Sequence, residues 1–117
     1  MEHRCSIRKS LTIDVVLNCR SLGLVGGRTR DIGMGGMFVD IGRIQLPMNA
    51  LIESCVLLET AGKVQPYRSE AMVVHSSRAG VGLMFSDLTP VFHQRLHELI
   101  FTGHRISKQE PAFRFVS

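Results

Sequence analysis

Two arginines, Arg4 and Arg8, stand ahead of the first strand-like stretch, and a glycine-flanked carboxylate, Asp31, follows about two dozen residues later. Arginine presents a rigid fork of donors that fits phosphate oxygens and the O6/N7 edge of guanine. A carboxylate accepts from the ring N–H of guanine. The glycines of Asp31-Ile32-Gly33-Met34-Gly35-Gly36 leave the backbone open to a flat ligand. Together these parts suggest a site for an anionic guanine nucleotide, and none does so alone. By spacing alone, Arg4 and Arg8 read as a solvated basic terminus. The glycine segment reads equally as a β-hairpin turn needing positive φ, a reading compatible with a ligand site. It is not a dinucleotide fingerprint, because the third glycine is missing and the context is strand–turn–strand.

Other constellations carry less. His93 and His97 lie four apart with Glu98 beside them, but the glutamate is not placed as in a zinc-binding H-E-x-x-H helix and no third ligand is evident. A solvated helical face is the better reading, and no metal or cofactor is expected. Asp14, Asp40, Glu53 and Glu59 are scattered rather than paired. No Ser/His/Asp or Cys/His arrangement supports a nucleophile, so a noncatalytic protein is expected.

The elements that must position these residues follow from hydrophobic periodicity. Leu11, Ile13, Val15, Leu17 and Cys19 alternate as one face of a strand. Gly26-Gly27 reads as a turn, Arg28 to Ile32 as a short strand, Gly33 to Gly36 as a tight loop and Met37 to Ile41 as the returning strand. Leu51 to Glu59 follows, with Ile52, Ser54, Val56 and Leu58 on one side. After a turn at Ala61-Gly62-Lys63, Val64 to His75 is extended. Pro66 makes its beginning an edge or bulge, and Ala71, Val73 and His75 share a face. Ser76 to Gly80 turns the chain, and Val81, Leu83 and Phe85 alternate again. Short strands at this spacing predict an antiparallel sandwich or barrel. Thr89-Pro90 then reads as an N-cap with proline at the first helical position, and Leu88, Phe92, Leu96, Leu99 and Ile100 follow helical spacing to a stop at Gly103. The helix is expected to cover an end or face of the barrel.

The chain of 117 residues carries a formal charge of +4, and of its 14 cationic residues only Lys9, Lys63 and Lys108 are lysines. That bias suits bidentate anion recognition as well as it suits a solvated surface. Cys5, Cys19 and Cys55 are odd in number, with no C-x-x-C, which fits a reducing compartment. No signal peptide or transmembrane run is visible, so a cytoplasmic protein without membrane insertion is expected. The domain plan is a flexible basic arm over residues 1–10, a barrel and helix over 11–103, and a tail over 104–117.

In order and spacing these parts resemble the PilZ domain family. Arg4-Cys5-Ser6-Ile7-Arg8 matches that family's RxxxR motif. Asp31-Ile32-Gly33-Met34-Gly35-Gly36 matches its D/N-x-S-x-x-G motif, with Gly33 where serine is usual. Ala71 to Phe85 is similar to its A-x-V-x-W/H … G-x-G-hydrophobic-x-F segment, and the helix from Thr89 sits where the family has its C-terminal helix. The resemblance covers residues 4 to about 102. It implies a six-stranded antiparallel β-barrel of the split-barrel type with one C-terminal α-helix. It also implies a receptor for cyclic di-GMP, a bacterial second messenger. By that analogy Arg4 and Arg8 grip phosphate and the Hoogsteen edges of guanine, Asp31 pairs with a guanine edge, and Gly36 permits close approach. His75 either stacks on the ligand or is a half-buried strand histidine.

A serine hydroxyl at Gly33 would add about 1 kcal/mol, so its loss weakens binding several-fold, and Gly33→Ser is expected to tighten binding if the turn tolerates a side chain. The resemblance also implies a downstream protein partner that distinguishes ligand-bound from free states. The alternative is a degenerate PilZ adaptor that binds no nucleotide and acts through protein contacts. A nucleic-acid-binding barrel is disfavoured, since one tyrosine, no tryptophan and six phenylalanines leave no obvious platform for base stacking.

Overall fold

In the computed structural model, which describes residues 7–101, the chain forms strands β1 (Arg8–Lys9), β2 (Asp14–Cys19), β3 (Gly23–Gly33), β4 (Gly36–Asp40), β5 (Leu51–Thr60), β6 (Lys63–Ser77) and β7 (Gly80–Asp87), then helix α1 (Pro90–Phe101). The strands run in the order β1-β3-β2-β5-β6-β7-β4, all neighbours antiparallel, and β3 also pairs with β4. That last pairing closes β2 to β7 into a six-stranded barrel, with β1 as a short addition beside β3.

The alternating apolar residues line the interior. Val15, Leu17 and Cys19 of β2 and Ile52, Ser54, Val56 and Leu58 of β5 are all buried. Ser54 sits in this core because its hydroxyl meets the Ser69 hydroxyl at 3.0 Å. The expected helix forms as its periodicity requires. Thr89 Oγ1 accepts from the Phe92 amide at 3.1 Å, and Phe92, Leu96, Leu99 and Ile100 are buried. Phe92 lies between Tyr67, with ring centroids 5.5 Å apart, and Phe85, at 5.7 Å. Gly103, Arg4, Cys5 and the tail over 104–117 lie outside the described residues.

Several local expectations are corrected. Gly26-Gly27 is not a turn, because both glycines lie within the long strand β3. The turn lies at Arg20 to Leu22, where the Leu22 amide donates to the Cys19 carbonyl at 3.1 Å. Gly27 instead marks a close approach, since a Cβ there would stand 2.7 Å from the Asp40 carbonyl oxygen. The strand expected from Leu11 begins only at Asp14. The segment read as a flexible arm carries, at Arg8–Lys9, a strand paired with Gly33 and Ile32. The expectation for Pro66 holds: β6 pairs with β7 only from Glu70 onward, so the proline lies where β6 has β5 alone as a partner.

Candidate functional site

The barrel's outer face carries the polar chemistry, and its register shows which residues stand abreast. Asp31 pairs with Phe38, Phe38 with Gly82, and Gly82 with His75. Directly paired residues point to the same side of a sheet. These four positions therefore form one row across β3, β4, β7 and β6. Ile32, Met37 and Leu83, which adjoin Asp31, Phe38 and Gly82 along their strands, are buried in the core.

Both ends of this row are made by irregularities. The β3–β4 register shifts between Thr29 and Asp31, and the β6–β7 register shifts between Val73 and His75. A bulge inserts one residue and so reverses which face the next side chain takes. Thr29 is consequently buried while Asp31 is not, and Val73 is buried while His75 is exposed. The expectation that His75 shares a face with Ala71 and Val73 is thus overturned. Across Gly82, His75 meets Phe38 with ring centroids 5.9 Å apart and planes tilted by 46°. A Cβ on Gly82 would stand 3.1 Å from the His75 Cβ, so the glycine lets the two rings flank a low floor.

Arg8 enters the row from β1. It pairs with Gly33, two residues beyond Asp31 on the same face, and its Nε donates to Asp31 Oδ1 at 2.6 Å. The contact uses one guanidinium nitrogen and one carboxylate oxygen. Among the described residues, the two terminal guanidinium nitrogens and Oδ2 make no further hydrogen bond. With side-chain exposures of 40% and 33%, the pair is accessible and contributes at most about 1 kcal/mol to stability.

The glycines of the motif act through space rather than through φ. None of Gly33, Gly35 and Gly36 has positive φ, which corrects the reading of this segment as a left-handed turn. A Cβ on Gly33 would stand 2.7 Å from the Ile7 carbonyl oxygen and 3.1 Å from the Arg8 Cγ. A Cβ on Gly36 would collide with the Leu83 carbonyl oxygen. Gly33 is therefore where β1 lies down, and Gly36 is where β4 and β7 close together. The expectation that Gly33→Ser tightens binding loses its condition, because the place a serine would fill is taken by residues 7 and 8.

The structure thus gathers Arg8, Asp31, Gly33 and Gly36 at one end of the row and His75 at the other. Arg4 lies outside the described residues. Sequence reasoning missed Phe38 and Gly82. Their signal was present in the alternation of β4 and β7, but only pairing across the two strands places them between Asp31 and His75. His97 packs on Phe101, with ring centroids 4.6 Å apart, and Arg95 Nη1 donates to Glu98 Oε1 at 3.2 Å. No group of three or more metal-ligating side chains occurs among the described residues.

The model of the PilZ domain family matches residues 2–102. The chain belongs to the PilZ domain family. Solved structures agree on the fold. The Bacillus subtilis inhibitor of motility MotI/DgrA superposes with a TM-score of 0.77 at 14% identity, covering 89% of this chain. This chain spans only 52% of that protein. The PilZ domain of Escherichia coli YcgR, solved with c-di-GMP, gives 0.72 at 14% identity over 95% of this chain and 98% of that one. The PilZ domain of CeSA from a cellulose-synthesizing bacterium gives 0.64 at 18% identity, covering 83% and 97%. No curated protein sequence matches this chain. No helix among the described residues is long and apolar enough to cross a membrane.

Proposed function

We propose that this PilZ domain is a noncatalytic cytoplasmic receptor for cyclic di-GMP, using Arg4, Arg8, Asp31, Gly33, Gly36 and His75. The observation that carries this reading is the Arg8–Asp31 contact at the end of the row through Phe38 and Gly82 to His75. A guanine offers acceptors at O6 and N7 and donors at N1 and N2. A guanidinium and a carboxylate held side by side complement both sets. The phosphates take charge-assisted hydrogen bonds from the arginines, roughly 1.5–3 kcal/mol each. The tilted Phe38 and His75 rings, with only Gly82 between them, suit a planar base. Similarity to a PilZ domain solved with c-di-GMP supports the choice of ligand.

In this mechanism Arg8 is seated before the nucleotide arrives, and Arg4 supplies the second fork. The part of the arm ahead of Arg8, which carries Arg4, closes on the ligand, so bound and free states present different surfaces to a downstream protein partner. Affinity is expected in the micromolar to submicromolar range, on the order of −8 to −9 kcal/mol. Isothermal titration calorimetry with cyclic di-GMP, and GTP as control, tests the reading. Selective micromolar or tighter binding supports it and gives the stoichiometry. No heat and no thermal shift at high ligand leaves the adaptor alternative, which Gly33 in the serine position favours.

A further inference from the structure

Strand β1 has only two paired positions, Arg8 with Gly33 and Lys9 with Ile32. So short a strand specifies its own register weakly, and a slip of one residue would turn Arg8 to the face opposite Asp31. Something outside β1 must hold it. The residues between β1 and β2 include Leu11 and Ile13, which make no strand although their alternation predicts one. Three of their backbone groups go to a single residue, two of them to its side chain. Thr29 Oγ1 donates to the Leu11 carbonyl at 2.5 Å and accepts from the Ile13 amide at 2.9 Å. The Thr29 amide in turn donates to the Ile13 carbonyl at 2.9 Å. Thr29 is 2% exposed, so water does not compete for these bonds. It also immediately precedes the irregularity that turns Asp31 outward.

We infer that Thr29 is the positioning residue of this site: its hydroxyl pins the Leu11–Ile13 segment, and thereby the register in which Arg8 meets Asp31. Leu11 lies three residues from Arg8, about 10 Å of extended chain, so a fixed Leu11 leaves little freedom for Arg8. Gly33 completes the device by leaving room for the Ile7 carbonyl. Arg8 and Lys9 are thus docked by the chain's own residues, with Arg8 already on the proposed ligand face. The consequence for affinity rests on the receptor reading, whereas the consequence for docking does not.

Thr29→Val keeps the shape and removes the hydroxyl, and Thr29→Ser restores it. The first readout is amide hydrogen exchange without nucleotide. Adjacent antiparallel pairs alternate in bonding, so one of the amides of residues 8 and 9 donates to β3; in Thr29→Val that amide is expected to exchange about tenfold faster or more, with Val73 and Val81 unchanged. Thr29→Ser returns the parental rates. The second readout is cyclic di-GMP affinity well below the melting temperature, expected to fall about five- to thirtyfold in Thr29→Val and to recover in Thr29→Ser. If Thr29→Val does not fold, Thr29→Cys, of similar size and a weaker hydrogen-bonding partner, takes its place with an intermediate effect. Parental exchange at residues 8 and 9, or equal acceleration there and in the core, overturns the inference. If the parent protein binds no cyclic di-GMP, the receptor reading fails, and the exchange comparison alone decides the role of Thr29.

Discussion

Two rows cross the same outer face of this barrel with opposite chemistry. One is Asp31–Phe38–Gly82–His75, joined by Arg8. The other is Asn18–Glu53–Glu70–Asp87, in register across β2, β5, β6 and β7. Its residues line an open groove of about 520 Å³ together with Arg20, Arg68 and Thr89. The first row holds Arg8, the cation of the proposed anion site. Three carboxylates abreast would repel a ligand carrying two phosphates, whereas Arg8 attracts it and Asp31 is already matched by that arginine. Charge is therefore what distinguishes the two rows for the proposed ligand. Between the rows lie Leu51, Met72, Met84 and Gly36, paired in that order. This apolar strip separates the two fields.

The largest expected effect comes from breaking the wall that the rows share. Gly36→Ala places a methyl against the Leu83 carbonyl, so β4 and β7 must part. A loss of about 3 kcal/mol is expected in urea unfolding, at the upper end of overpacking costs. A parental midpoint would show that the approach relaxes freely. Arg8→Ala is next: it removes the cation that distinguishes the first row, with an expected affinity loss of about 1.5–3 kcal/mol for cyclic di-GMP by calorimetry. Its melting temperature should barely move, because the pair it breaks is exposed. Parental affinity in that variant would erase the distinction between the rows. His75→Ala probes the far end of the same row. A loss of about 1 kcal/mol in affinity is expected if the imidazole stacks on a base, and none if it only faces Phe38. The smallest effect belongs to the carboxylate row. Glu70→Gln should stabilise the fold by about 0.2–1 kcal/mol, because Glu70 stands directly opposite both Glu53 and Asp87. Destabilisation would mean that Arg20 or Arg68 already neutralises the row.

Much of this protein was legible before folding because the signals were local. The period-two alternation of β2, β5 and β7 needs only neighbouring residues to read. So does the Thr89 cap with Pro90 and the buried stripe Phe92, Leu96, Leu99 and Ile100. The motif residues Arg8, Asp31, Gly33 and Gly36 were named from order and spacing, and the fold brings them together. What local reading could not supply was register. It took Gly26-Gly27 for a turn because a glycine pair has the same appearance in a turn and in a strand pressed against another backbone. It gave His75 the wrong face because a bulge depends on how β6 meets β7.

The sequence by itself determined the antiparallel strands, the helix that follows them and the residue types proposed for an anionic guanine site. Each of these follows from side-chain period, capping and charge within short stretches. Only the tertiary structure decided that Asp31 and His75 stand in one row, that Phe38 and Gly82 lie between them, and that Thr29 holds the arm. Asp31 and His75 are 44 positions apart and become abreast only because β4 pairs with β7, while Thr29 reaches Ile13 across 16 positions.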